Sequence, residues 1–266
     1  MNRIAFIGGG NMAYALAGSF FRGDSSVRIS VCDPDEKRGR LFRETFGENV
    51  TLFEDFNMMA ENADLLILAV KPQVLPEVAE KLRVGNCTVL SIAAGISLTA
   101  LEKYFPGVPL VRLMPNTSCL VGEMAGGVVF SPSVTENQKN EIMRLLSMAG
   151  SVVEVEESLM DGVTGLSGSG PAFVARLIEA FIKAGVRTGL SEEQSRFLTL
   201  ATFSGTAKLL AEKKMTPEEL VTMVSSPKGT TVAGREKLEA SDYAEIISKT
   251  VIAAAERSRE LGNGRK

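Results

Sequence analysis

The 266-residue chain contains no histidine and no tryptophan. The missing imidazole excludes the most: Ser-His-Asp and Cys-His hydrolysis, His-ligated zinc, and the histidine general acid of a 2-hydroxy-acid dehydrogenase. Any proton chemistry must use another group. Cysteine is scarce as well. Cys32, Cys87 and Cys119 are odd in number and far apart, matching neither a disulfide framework nor a metal-knuckle spacing, so they read as reduced thiols and no metal site is expected. There is no basic excess. Twenty-nine Lys and Arg against 32 Asp and Glu leave a net charge of -3, which argues against nucleic acid as a partner. Long apolar runs are also missing. The most apolar stretch, Leu65 to Val70, is far below the roughly 18 residues of a membrane helix, and Arg3 followed by four apolar residues is too short for a signal peptide. The chain therefore reads as a cytoplasmic protein with no membrane partner, long enough for one large domain or two modest ones.

What is present begins with a phosphate-binding pattern. Ile4 to Ile7 is a short apolar run, and Gly8-Gly9-Gly10-Asn11-Met12-Ala13 follows it as G-x-G-x-x-A and opens a helix with apolar spacing at Met12, Leu16 and Phe20. Gly8 permits a sharp turn, Gly10 lets a pyrophosphate approach the backbone, and Ala13 keeps helix and strand close. The helix N-terminus adds free N–H groups and positive potential. A second strand, Val27 to Cys32, ends at Asp33, about twenty residues past Ala13. Asp33 at that place would accept hydrogen bonds from a ribose diol, which favours NAD, yet Lys37 and Arg38 follow and could hold the 2′-phosphate of NADP; the chemistry leaves both open. Asp33 could also simply cap the next helix. Further apolar strands, Leu65 to Val70, Thr88 to Ile92 and Pro109 to Leu113, alternate with helical stretches. The pattern predicts a parallel sheet covered on both faces, a Rossmann-type dinucleotide-binding domain over residues 1–160. Ala69, Val70, Lys71 and Pro72 end one strand on the ligand rim of such a sheet, and Met114 and Asn116 end another.

After Ser151 to Val155, the last strand expected, the patterning is helical. Ser191 with Gln194 and Thr216 with Glu219 form capping boxes, and Pro217 takes a first helical position. Residues 161–266 are expected to form an all-helical domain. Ser167 to Pro171 reads as the N-terminal cap of an unusually apolar helix, Ala172 to Val186, which calls for cover on all sides. A second subunit would supply that cover; a central place in a monomeric bundle is the alternative. Ser225-Ser226-Pro227-Lys228-Gly229-Thr230-Thr231 gathers hydroxyls and backbone N–H groups at a helix start, an arrangement suited to a small carboxylate as well as to plain capping.

Several strings together resemble the pyrroline-5-carboxylate reductase family: FIGGGNM, LAVKP, SIAAG, MPNT, GLSGSGPAF and SSPKGTT, in that order and spacing, from residue 2 to about 261. The resemblance implies an N-terminal dinucleotide domain, a C-terminal helical dimerisation domain, and an active site between them that two subunits share, in a homodimer or an assembly of such dimers. It implies reduction of L-1-pyrroline-5-carboxylate to L-proline, the last step of proline biosynthesis, usually with NADPH and sometimes with NADH. Carried over by position, Ile7, Gly8, Gly9, Gly10, Asn11, Met12, Asp33, Asn57, Ala69, Val70, Lys71, Pro72, Met114 and Asn116 would bind the cofactor. Ser226, Gly229, Thr230 and Thr231 would hold the substrate, with the Thr231 hydroxyl near the ring nitrogen as the catalytic group. The family loop usually carries glycine where this chain has Lys228.

Such chemistry suits a chain without histidine, because an imine nitrogen is basic enough to carry its own proton. Two other readings share the N-terminal features. A β-hydroxy-acid dehydrogenase or another imine reductase has similar architecture; the former needs a catalytic lysine in the first long helix of its second domain, where only Lys183 is available. A non-catalytic dinucleotide-binding regulator would have no use for the hydroxyl-rich loop at 225–231.

Overall fold

A computed structural model describes residues 1–263. The chain runs β1 (Arg3–Ile7), α1 (Asn11–Gly23), β2 (Arg28–Cys32), α2 (Glu36–Phe46), β3 (Val50–Leu52), α3 (Phe56–Ala60), β4 (Leu65–Leu68), α4 (Leu75–Lys81), β5 (Thr88–Ser91), α5 (Leu98–Tyr104), β6 (Leu110–Met114), β7 (Met124–Phe130), α6 (Glu136–Ser147) and β8 (Gly150–Glu154). Helices follow: α7 (Met160–Val163), α8 (Gly170–Arg187), α9 (Glu192–Lys213), α10 (Pro217–Val224), α11 (Thr230–Glu239) and α12 (Tyr243–Asn263). The strands form one sheet in the order β3-β2-β1-β4-β5-β6-β7-β8. Strand order reverses between β1 and β4, and there a doubly wound sheet opens its ligand crevice at the strand C-termini.

Alternation along β1 divides the core between two faces. Ile4 and Phe6 pack with Leu16, Phe20 and Phe42 on the side of α1 and α2, whereas Ala5 and Ile7 pack with Leu75 and Leu101 on the side of α4 and α5. All four residues of β4 are fully buried, as expected of a strand covered on both faces. Each such leucine contributes about 2 kcal/mol through burial.

The expectation of a parallel sheet holds from β3 to β6 and then fails. β7 runs antiparallel to β6, and β8 runs parallel to β7. Only a 3-10 segment, Thr117–Val121, links β6 to β7. A connection that short cannot cross over the sheet, so the chain must turn back.

The chain divides into two compact units, Met1–Pro171 together with everything from Val251 on, and Ala172–Thr250. The junction read from sequence lay at 160/161. Residues 160–187 are helical nearly throughout, with a π-helical stretch at Thr164–Gly168 between α7 and α8. The Ser167 to Pro171 segment is therefore not an N-terminal cap. The Ser167 hydroxyl instead donates back to the Val163 carbonyl, and Thr164 to that of Met160. In the second unit both predicted capping boxes form. Its buried residues are only Ser195 and Thr199, both polar.

Candidate active site

The first unit builds a rim from the ends of neighbouring strands. Ile7 lies beside Leu68, and Leu68 beside Ser91, so the turns after β1, β4 and β5 stand in a row, with Met114 at the end of β6 next along it. The structure thus brings together Ile7 to Met12, Ala69 to Pro72, and Met114 with Asn116.

Gly8 makes the sharp turn at φ +95°, and a Cβ there would stand 2.7 Å from the Ala69 carbonyl oxygen. No other residue meets both conditions. The Gly9 N–H donates to Asp33 Oδ2 at 2.6 Å, and Asp33 Oδ1 accepts from the Asp35 N–H at 2.8 Å. Asp33 therefore latches the glycine turn with one oxygen and the approach to α2 with the other. The helix cap is Asp35, which accepts from Lys37 N–H, so the reading of Asp33 as the cap is corrected. Gly10 is the N-cap of α1, with no side-chain cap bond and no acidic residue in the first turn, and a Cβ on it would meet nothing within 4 Å. The first N–H groups of α1 are left as donors for an anion. Arg38 donates to Asn11 Oδ1 at 2.8 Å, which places a guanidinium beside that helix start.

Two predicted residues have their amides engaged by backbone. Asn116 is buried; its Nδ2 donates to the Ser167 carbonyl and its Oδ1 accepts from the Ala125 N–H, both at 3.1 Å. Asn57 donates to the Lys81 carbonyl and accepts from the Arg83 N–H, bracketing α3 to the end of α4. Sequence reasoning missed a further tie. Arg112, buried on β6, donates to Glu157 Oε1 at 2.5 Å. The signal was present in part, since one arginine inside an apolar strand must find a partner.

In the second unit the hydroxyl-rich loop ends at the N-terminus of α11. Gly229 is the N-cap, without a side-chain cap bond, and no acidic residue occupies the first turn. A Cβ on Gly229 would collide with the Ser226 hydroxyl and carbonyl. Ser226, Thr230 and Thr231 are exposed. Loop hydroxyls and unclaimed N–H groups at a helix start again form an anion-receptive arrangement.

The family model described as pyrroline-5-carboxylate reductase dimerisation matches residues 157–261. A curated pyrroline-5-carboxylate reductase of Corynebacterium melassecola is 38% identical over 270 residues, covering 98% of this chain and 99% of its own. The chain belongs to the pyrroline-5-carboxylate reductase family. The reductase of Synechocystis is 39% identical, with 98% of each chain covered. Residues 3–95 also match a model described as NADP oxidoreductase, coenzyme F420-dependent. Among solved structures, a pyrroline-5-carboxylate reductase from Coxiella burnetii superposes with a TM-score of 0.90 at 32% identity, covering 97% of each chain. One from Plasmodium falciparum, with NADP bound, superposes at 0.86 with 28% identity, covering 98% of each chain.

The geometry of this family member also bears on the competing dehydrogenase. Lys183 is exposed and paired with Glu179 at 2.6 Å. Hydrogen bonds from Lys183 and then Arg176 hold the Glu179 carboxyl down at about 2. The ammonium of Lys183 is thus committed to an i,i+4 pair within α8. The three thiols are buried, and burial raises each of their pKa values, that of Cys87 to about 11. None has the thiolate character of a nucleophile.

Proposed function

We propose that the chain reduces L-1-pyrroline-5-carboxylate to L-proline in the cytoplasm, as a homodimer or an assembly of dimers, with NADPH preferred over NADH. The observation that carries this reading is identity of 38–39% to named reductases over nearly the full length of both chains. Residues 161–266 are proposed as the dimerisation and substrate domain.

The residues present fit a dinucleotide. Gly10 leaves open space at an uncapped helix start, and Gly8 to Met12 would take the pyrophosphate there. When bound, the reduced nicotinamide supplies a hydride. Ala69 to Pro72 and Met114 would line its site, while Asp33, Asn57 and Asn116 act by fixing the backbone around it. The preference for NADPH is supported by Arg38 beside Asn11, with Lys37 on the same turn.

The Ser226 hydroxyl and the N–H groups of Thr230 and Thr231 would hold the substrate carboxylate beside Gly229, whose own N–H closes the turn onto the Ser226 carbonyl, and the Thr231 hydroxyl would orient the ring nitrogen. The imine nitrogen carries its own proton, so positioning supplies most of the rate enhancement and no imidazole is needed. The test is direct. Purified protein with pyrroline-5-carboxylate should consume NADPH, and NADH more slowly, with proline as product. Hydroxy-acid oxidation without imine reduction, or NADPH binding without turnover, would refute the reading.

A further inference from the structure

The turn that carries the proposed substrate donors holds a strained residue. The Gly229 N–H donates to the Ser226 carbonyl at 2.9 Å, closing the four-residue turn Ser226-Pro227-Lys228-Gly229. Proline fixes its own φ near about −65°, and Lys228 stands at φ +60°. That combination is the type II turn, whose third position belongs to glycine or asparagine because a Cβ there crowds the backbone. Among the described residues only one other non-glycine, Lys214, has a positive φ, and Lys214 is the C-cap of α9, where a left-handed residue ends the helix. Lys228 ends no helix. A non-glycine residue held in this region points toward a role in function.

Charge suggests the role. The donors proposed to meet the substrate carboxylate, on Ser226, Thr230 and Thr231, are all neutral, and the chain has no histidine. Lys228 is the single cation between 225 and 231; it is exposed and in no ion pair among the described residues. The next cation along, Arg235, is paired with Glu239. Lys228 adjoins Gly229 and lies two residues from Ser226, and its flexible stem lets the ammonium swing to within about one Debye length of the loop donors at physiological salt, roughly 8 Å.

We propose that Lys228 is a specificity-determining residue of the substrate site, supplying the positive charge that draws in and holds the imino-acid carboxylate that the neutral donors then orient. The proposal rests on the functional reading above. Its test is steady-state kinetics on the native enzyme, K228N and K228R, because asparagine tolerates the backbone angle without the charge and arginine keeps the charge. At low salt K228N should raise KM for pyrroline-5-carboxylate about three- to tenfold, while KM for NADPH holds. The gap should close as ionic strength rises from about 0.01 M to about 1 M, where the Debye length contracts from about 30 Å to about 3 Å. K228R should keep the native KM. An unchanged KM in K228N at low salt, a gap indifferent to salt, or no rescue by arginine would overturn the proposal and leave the functional reading standing. A native enzyme that reduces no imino acid would end both.

Discussion

Thr231 carries the sharpest demand on the chemistry. One positioning hydrogen bond of about 1.4 to 2.7 kcal/mol corresponds to 10- to 100-fold in rate, so T231A should lower kcat by that range in the NADPH assay; full activity would remove the hydroxyl from the mechanism. Lys228 makes the opposite demand on stability. Relief of its left-handed backbone by K228G is worth about 1–2 kcal/mol, of which the freedom of glycine in the unfolded chain returns about half. A gain of about 0.5–1 kcal/mol in urea titration is expected, alongside the weaker substrate binding already argued. Cys87 gives a pH dependence. Burial raises its pKa to about 11, against about 9 for a free thiol. Between those values the unfolded chain binds fewer protons than the folded one, so stability is intact below pH 9 and falls toward pH 11, by about 2–3 kcal/mol for this residue. Denaturation curves for C87A should start lower, from the lost packing, but slope less steeply across that window. Single residues with one purpose were the most legible in the sequence: Gly8 stands where strand meets helix, and its angle and its closeness to Ala69 both require glycine. Asp33 was half legible, because its place at the end of β2 is plain in the chain but its two backbone partners depend on how the turn closes.

Between elements the sequence was clear where one element makes its own pattern and opaque where two must meet. The capping boxes at Ser191 and Thr216 are local and were read correctly. β7 was missed because MAGGVVF carries the glycines that weaken a strand signal. The fold explains them: a Cβ on Gly126 would approach the Met114 carbonyl oxygen to 2.9 Å, and one on Gly127 would approach Val163 to 2.8 Å. Close approach of a neighbour, invisible from within the strand, selects the residue. Gly165 shows the same logic between helical segments. A Cβ there would stand 2.7 Å from the Val251 carbonyl oxygen and 2.9 Å from Ala255 Cβ, so the π-helical stretch can touch α12 only without a side chain. G165A should cost about 1–3 kcal/mol of stability, as overpacking does, because the obstacle is backbone and cannot rotate away. A melting temperature within a degree of the native value would mean that α12 shifts freely. The Arg112–Glu157 pair joins residues distant in sequence, and only the burial of Arg112 hinted at it. E157Q leaves the guanidinium buried without its counter-charge and should cost about 2–3 kcal/mol, less than a fully buried pair because Glu157 is one-third exposed.

The second unit poses the question of the whole molecule. It spans about eighty residues, yet none of its apolar side chains is buried, and Phe197 is 71% exposed, Met223 60% and Phe181 56%. An isolated domain of that size normally hides most of its apolar surface, so helices α8 to α11 cannot owe their stability to this chain alone. That removes the monomeric bundle considered for the Ala172 to Val186 helix. The apolar breadth of α8 was plain in the sequence, but the source of its cover was not, since a second copy leaves no separate mark in the sequence. If two chains complete one helical core, folding and association are one equilibrium, and apparent stability must rise with protein concentration. The urea midpoint should fall across a hundredfold dilution series, whereas a self-sufficient monomer would give one midpoint throughout. F197E should lower the midpoint at each concentration and move the native species toward monomer in sedimentation. Because α1 and its glycine turn belong to the other unit, with a buried core of its own, F197E should still bind NADPH while losing imine reduction. Loss of both would show that the dinucleotide unit also depends on the assembly.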